Sequence, residues 1–147
     1  MYDRILVPID GSEHAKQALS VACKLLGESG ATLYLLHIPQ VLAYEATLVW
    51  GVGALNAEAP LDERIKAGDQ LLEQALASAC EQGAQQVEKH LIQGDPVRVI
   101  LETANNLPID AIVMGSRGLS DLGGVMIGSV SHKVSHSAKC RVITVSR

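Results

Sequence analysis

The residues able to do chemistry gather in two stretches. One is Pro8-Ile9-Asp10-Gly11-Ser12; the other runs from Met114-Gly115-Ser116-Arg117-Gly118 to Gly128-Ser129-Val130-Ser131. Asp10 can offer a carboxylate to hydroxyls, such as those of a ribose, or to a metal. It can equally satisfy backbone donors in a turn that approaches a helix. Gly115 and Gly118 bracket a tight turn after an apolar segment, and Gly128-Ser129 stands where the next helix should begin. A helix N-terminus presents unsatisfied N–H groups and a partial positive charge of about half a unit. Glycine lets those donors approach a phosphate with no Cβ in the way. Ser129 and Ser131 add hydroxyl donors, and Arg117 can add a charged fork. At ~1.5–3 kcal/mol for each hydrogen bond to a charged group, three or four would hold a triphosphate at micromolar strength once the loop is ordered. The stretch is not a P-loop, because no G-K-[ST] follows the glycines, and it lacks the G-x-G-x-x-G dinucleotide fingerprint. On composition alone it also reads as a mobile glycine-rich connector.

These stretches need elements to position them. The apolar run at 4–9 predicts a strand. Ala15, Ala18, Leu19, Ala22, Leu25 and Leu26 then recur at helical spacing over 12–28, with Ser12 as N-cap and Gly30 as stop. A second strand is expected over 32–38, followed by an irregular stretch from 39 to 60. Residues 61–82 read as a long helix with Ile65, Leu72, Ala75, Leu76 and Ala79 inward. The polar segment 86–92 reads as an edge strand. Asp95-Pro96 opens another helix as N-cap and first-turn proline, burying Val97, Ile100, Leu101 and Ala104. A strongly apolar strand at 110–114, the loop at 115–127, a helix near 128–137 and a strand at 141–145 complete the order. Alternation of this kind implies a parallel sheet covered on both faces, an α/β three-layer sandwich. Ligands in such sheets bind beyond the carboxyl ends of the strands, where strand order reverses. The 147 residues read as a single domain, 1–147.

Composition narrows the partners. The net charge of −4 argues against nucleic acid held by phosphate contacts, and aromatics at 3% leave no row of rings for stacking bases. Cys23, Cys80 and Cys140 lie far apart, which fits a reducing compartment. The start of the chain has no signal-peptide pattern, and no uncharged apolar run reaches about 18 residues. A soluble cytoplasmic protein without membrane insertion is expected. The stretch 41–55 carries the single tryptophan. It reads either as a flap packed on the domain or a partner subunit, as a lid over a ligand, or as a membrane contact. His132, His136 and Cys140 would share a face on one continuous helix, but the helix is expected to end before Cys140, leaving the histidines on the surface. His37 reads as a partly buried histidine or as a pocket-lining one. No G-x-S-x-G elbow and no paired nucleophile and base stand in the sequence. The residues supply a phosphate cradle without an evident water-positioning group, so binding with slow or no turnover is expected.

Gly115-x2-Gly118-x9-Gly128-Ser129 resembles the G-2x-G-9x-G-[ST] ATP-binding motif of universal stress proteins, position by position. The opening Ile5-Leu6-Val7-Pro8-Ile9-Asp10-Gly11-Ser12 is similar to that family's first strand and Asp-containing turn, and the element order fits along the whole chain. The resemblance implies a flavodoxin-like fold of the adenine-nucleotide alpha hydrolase kind, with strand order 3-2-1-4-5. It implies ATP, accompanied by Mg²⁺, across the reversal between the first and fourth strands. Asp10 would sit near the ribose, Pro8, Ile9 and Ile38 on the adenine side, and Met114 and Gly115 beside the sugar and first phosphate. Gly118, Gly128, Ser129, Val130 and Ser131 would cradle the phosphates; Arg117 occupies a variable position of the motif. The resemblance also implies a homodimer through the last strand, Val142-Ile143-Thr144-Val145. The apolar character of that edge supports pairing independently, since an uncovered apolar edge invites aggregation. The expected role is a regulatory, nucleotide-dependent switch in a stress response, acting on an unidentified transporter or enzyme. The alternatives are a slow ATPase or phosphotransferase, and a nucleotide-free structural dimer.

Overall fold

A computed structural model describes residues 2–39, 49–53, 59–117 and 128–146. The described elements alternate: β1 (Arg4–Pro8), α1 (Glu13–Leu25), β2 (Thr32–His37), α2 (Leu61–Glu81), β3 (Gln86–Leu91), α3 (Pro96–Asn106), β4 (Ala111–Gly115), α4 (Ser129–Ser137) and β5 (Arg141–Val145). The strands form one parallel sheet in the order β3-β2-β1-β4-β5. This is the expected flavodoxin-like order, with the reversal beside β1.

Strand alternation sorts the core into two layers. Ile5, Val7, Leu33, Leu35 and Val113 point to one face and pack with the buried stripes of α1 and α2. Leu6, Tyr34, Leu36, Ile112 and Met114 point to the other and pack with α3 and with Val134 of α4. Each large aliphatic side chain so buried contributes about 1.5–3 kcal/mol, and the two layers together fix the sheet between its helices. Among the described residues no helix is long and apolar enough to cross a membrane.

Both expected caps form. Ser12 Oγ accepts from Ala15 N at 3.1 Å, and an Asp95 carboxylate oxygen accepts from Arg98 N at 3.0 Å with Pro96 in the first turn. Helix α1 ends three residues before the expected boundary, because Leu26 turns extended to bridge with Tyr2 and Gly27 N donates to Tyr2 O. The buried stripe of α2 is Ala67, Gly68, Leu71, Leu72, Ala75 and Ala79, so Ile65 and Leu76 lie at its margins rather than inward. In α3 the stripe likewise centres on Val99, Ile100, Thr103 and Ala104, with Val97 and Leu101 half-buried. β3 is a polar edge strand as expected, and its Lys89 pairs with Glu73 of α2.

Candidate functional site

The sheet has a seam. β1 pairs with β2 over five register positions and β4 with β5 over five, but β1 and β4 pair only at Ile5–Ala111 and Leu6–Ile112. At the N-terminal rim the two strands are laced together: Asp110 Oδ2 accepts from Asp3 N and Arg4 N, and Asp110 N donates to Arg4 O at 2.9 Å. Toward the C-terminal rim no register pairs join them. The helices that leave this rim, α1 after β1 and α4 after β4, lie on opposite faces of the sheet. This is where an open parallel sheet places a ligand crevice, and both glycine-bearing stretches run to it.

On the β1 side the chain is held by its main chain. Ile9 N donates to Leu36 O at 2.8 Å, and the ring of His37 bonds Ile9 O through Nδ1 at 2.8 Å. A carbonyl only accepts, so Nδ1 carries the proton and Nε2 of the neutral ring does not. His37 is fully buried, and its Nε2 has no partner among the described residues. That nitrogen faces Gly68 of α2, where an added methyl would stand 2.8 Å away. Burial holds the imidazole below its ordinary pKa range, opposed by the bond to Ile9 and by the charges of Asp10 and Asp69. The next turn requires glycine, because Gly11 has φ +90°. Across it, Ser12 N donates to Asp10 Oδ1 at 2.9 Å, orienting the half-buried carboxylate at the mouth of the seam.

On the β4 side Ser116 joins three elements. Its N–H donates to Val145 O at the end of β5 (2.8 Å), and its hydroxyl lies 3.1 Å from Nδ1 of His14 on α1. Its carbonyl accepts from Gly128 N at 2.5 Å and from the Ser131 hydroxyl at 2.7 Å. The two ends of the loop between Arg117 and Gly128 are thereby pinned together. Gly115 packs against α1: a Cβ there would stand 2.6 Å from His14 Cβ and 2.8 Å from the His14 carbonyl carbon. Helix α4 begins at Ser129 with Gly128 as N-cap, as expected, and the glycine itself brings no side-chain cap bond. Gly128 has φ −69° and ψ 162°, a conformation open to any residue, so the backbone there does not demand glycine.

The expected site residues fall around this seam in distinct ways. Pro8 and Asp10 are half-buried at the end of β1, with Gly115 and Arg117 half-buried at the end of β4. Ile38 and Met114 share the hydrophobic layer on the α3 and α4 face, whereas the Ile9 side chain is 1% exposed in the opposite layer. Ile9 therefore presents main chain rather than a side chain shared with Ile38. Ser129 is exposed, Val130 half-buried and Ser131 buried, its hydroxyl engaged within the protein. Gly118 lies outside the described residues, as does most of the 41–55 stretch. Within 49–53, Trp50 and Val52 are buried in the layer with α1 and α2, the packed form of that stretch. Helix α4 ends at Ser137, so His132, His136 and Cys140 do not share one helix face. Among the described residues no group of three or more His, Cys, Asp or Glu could hold a metal ion. Ser116, His14 and the Trp50–Ser12 contact were not foreseen. Ser116 occupies a variable position of the glycine motif, where only its small size gave a signal.

The profile of the universal stress protein family matches residues 1–146. The chain belongs to that family. The universal stress protein YxiE of Bacillus subtilis is 36% identical over 148 residues, covering 99% of each chain. A solved universal stress protein in complex with cAMP is 28% identical, with a TM-score of 0.71 and coverage of 98% of this chain and 97% of that one. A universal stress protein family protein of Arabidopsis thaliana, solved with AMP bound, is 25% identical, with a TM-score of 0.66 over 97% of this chain and 90% of the other. In this universal stress protein the first motif glycine closes β4 and the third caps α4, on either side of the Ser116 clamp.

Proposed function

We propose that the chain binds an adenine nucleotide across the β1–β4 seam and serves as a nucleotide-dependent regulatory switch. The observation that carries this reading is the helix start at Gly128: a glycine N-cap with no side-chain cap, tied within 2.5 Å to the residue that follows β4. A helix N-terminus whose N-cap is glycine, beside a glycine turn, suits an anionic group. The nucleotides named in the cAMP- and AMP-bound relatives support the adenine assignment.

In this reading Asp10 receives ribose hydroxyls, Pro8, Ile9 and Ile38 lie on the adenine side, Ile9 through its main chain, and Met114 stands beside the sugar and first phosphate. Gly115, Arg117, Gly118 and the Gly128–Ser131 turn surround the phosphates. Ser131 contributes there through its N–H and through the clamp on Ser116, since its hydroxyl is engaged. ATP is the proposed ligand. With no metal-holding cluster among the described residues, Mg²⁺ would arrive on the phosphates, keeping most of its water shell. Occupancy would alter the surface that the 116–127 loop offers to a partner, to an extent limited by the difference in nucleotide affinity between the two states. The homodimer belongs to the same proposal. β5 is an edge strand whose Val142, Ile143 and Val145 are only half-buried, with Thr144 exposed.

Calorimetric titration with ATP, ADP and AMP, with and without Mg²⁺, tests the reading, joined by mass spectrometry of co-purified small molecules. Micromolar binding is expected. No binding at millimolar nucleotide would leave the structural dimer as the better account, and single-turnover hydrolysis faster than roughly 1 s⁻¹ would make the protein an enzyme rather than a switch.

A further inference from the structure

Trp50 is the only tryptophan of the chain and is 6% exposed. Its indole Nε1–H donates to Ser12 O at 3.2 Å in a buried setting. The neighbouring peptide is fixed too: Lys16 Nζ donates to Val49 O at 2.8 Å and lies 6.0 Å from the indole centroid. Val52 is seated in the layer shared with α1 and α2. Ser12 is thus held from both sides. Its carbonyl takes the indole proton beside the helical bond from Lys16 N at 3.2 Å, its hydroxyl caps Ala15 N, and its N–H donates to Asp10 Oδ1 at 2.9 Å. Between Asp10 and Ser12 stands Gly11 at φ +90°, the residue type with the widest backbone freedom. Such a turn keeps one geometry only if the residues around it are restrained. The Ser12 carbonyl sets the orientation of the peptide that opens α1, and the Ser12 N–H sets the orientation of the Asp10 carboxylate.

We infer that Trp50 is a positioning residue for Asp10: its hydrogen bond to Ser12 holds the Gly11-Ser12 turn in the form that aims the carboxylate into the seam. The consequence, which rests on the nucleotide reading above, is selectivity. Trp50 favours anions that carry a ribose over anions that do not, although it touches neither.

The test uses the full chain and Trp50→Phe, which keeps an aromatic ring and removes the donor. Affinities are measured for AMP and for inorganic tripolyphosphate. One lost hydrogen bond corresponds to roughly 3- to 10-fold weaker AMP binding, and tripolyphosphate binding should be unchanged. In an Asp10→Ala background the same substitution should have no further effect, because no carboxylate remains to be positioned. Equal losses for both ligands, or an undiminished loss in the Asp10→Ala background, would show that Trp50 acts only on general stability and would overturn the inference. A second measurement needs no variant at Trp50. The unaltered chain has a single indole N–H resonance, expected to move on saturation with AMP and to stay in place with tripolyphosphate. An indole signal indifferent to AMP, while AMP binds, also overturns it. Failure of the unaltered chain to bind AMP at all would instead remove the crevice reading, and the inference with it.

Discussion

The carbonyl of Ser116 and the amide of Gly128 meet at 2.5 Å across the base of the glycine-rich loop. This bond fixes where α4 starts relative to the end of β4, although twelve positions separate the two residues in sequence. It also places a helix N-terminus with a glycine N-cap beside the seam between β1 and β4.

Gly128→Ser should therefore move stability and affinity in opposite directions. The backbone at Gly128 (φ −69°, ψ 162°) nearly matches that at Ser12 (φ −83°, ψ 162°), where a serine caps α1. A serine cap in place of glycine should stabilise the fold by a few tenths of a kcal/mol, seen as a slightly higher urea midpoint. Its hydroxyl would occupy the donors proposed to face phosphate, so ATP affinity should fall about tenfold, the effect of a net loss near 1.4 kcal/mol. Unchanged affinity would remove the α4 N-terminus from the site.

Gly115→Ala should damage the fold itself. The added methyl would meet His14 Cβ at 2.6 Å, the His14 carbonyl carbon at 2.8 Å and Ala15 N at 3.0 Å. Two of these are backbone atoms of a helix and cannot step aside cheaply, so a loss of about 1–3 kcal/mol is expected. Thermal unfolding without nucleotide measures it; an unchanged midpoint would show that α1 is not seated as described.

His37 gives stability a pH dependence of definite sign. Burial keeps its folded-state pKa below the ordinary value of about 6.5. Above that pH the ring is neutral in both states and contributes no slope. As the pH falls below it the unfolded chain takes up a proton that the folded chain does not, and stability drops by up to about 1.4 kcal/mol per unit. Urea unfolding between pH 7.5 and 5 should show this slope, and His37→Gln should flatten it. A variant with an undiminished slope would assign the effect to other groups.

Asp10→Ala should weaken AMP and ATP while sparing inorganic tripolyphosphate. The substitution removes the acceptor of Ser12 N and the proposed ribose contact together. A loss of about tenfold or more for the nucleotides follows from hydrogen bonds to a charged group at ~1.5–3 kcal/mol each. Calorimetry that finds equal losses for all three ligands would reject ribose recognition as its task.

Much of this was legible in the chain because it is written locally. The alternating apolar runs, the Ser12 and Asp95-Pro96 caps and the glycine spacing each speak through neighbours a few positions apart. The element order, the polar edge strand and the start of α4 followed from them. What stayed hidden depends on residues distant in sequence. The His14–Ser116 pair spans 102 positions and the Trp50–Ser12 bond 38. The early end of α1 depends on Tyr2, which has no part in helical periodicity. The assignment of Ile9 and Ile38 to opposite faces depends on where each strand gives way to its turn, a boundary that hydrophobic pattern fixes only loosely.

The two-rung join at Ile5–Ala111 and Leu6–Ile112 divides the sheet mechanically. β3, β2 and β1 form one plate and β4 with β5 another, and those rungs are the fulcrum between them. Helix layers span both plates, α1 on one face and α3 on the other, so the two plates are held together from both sides while their C-terminal rims carry no rung. A molecule wedged at the free rim would bear on the plates at their longest arm from the fulcrum.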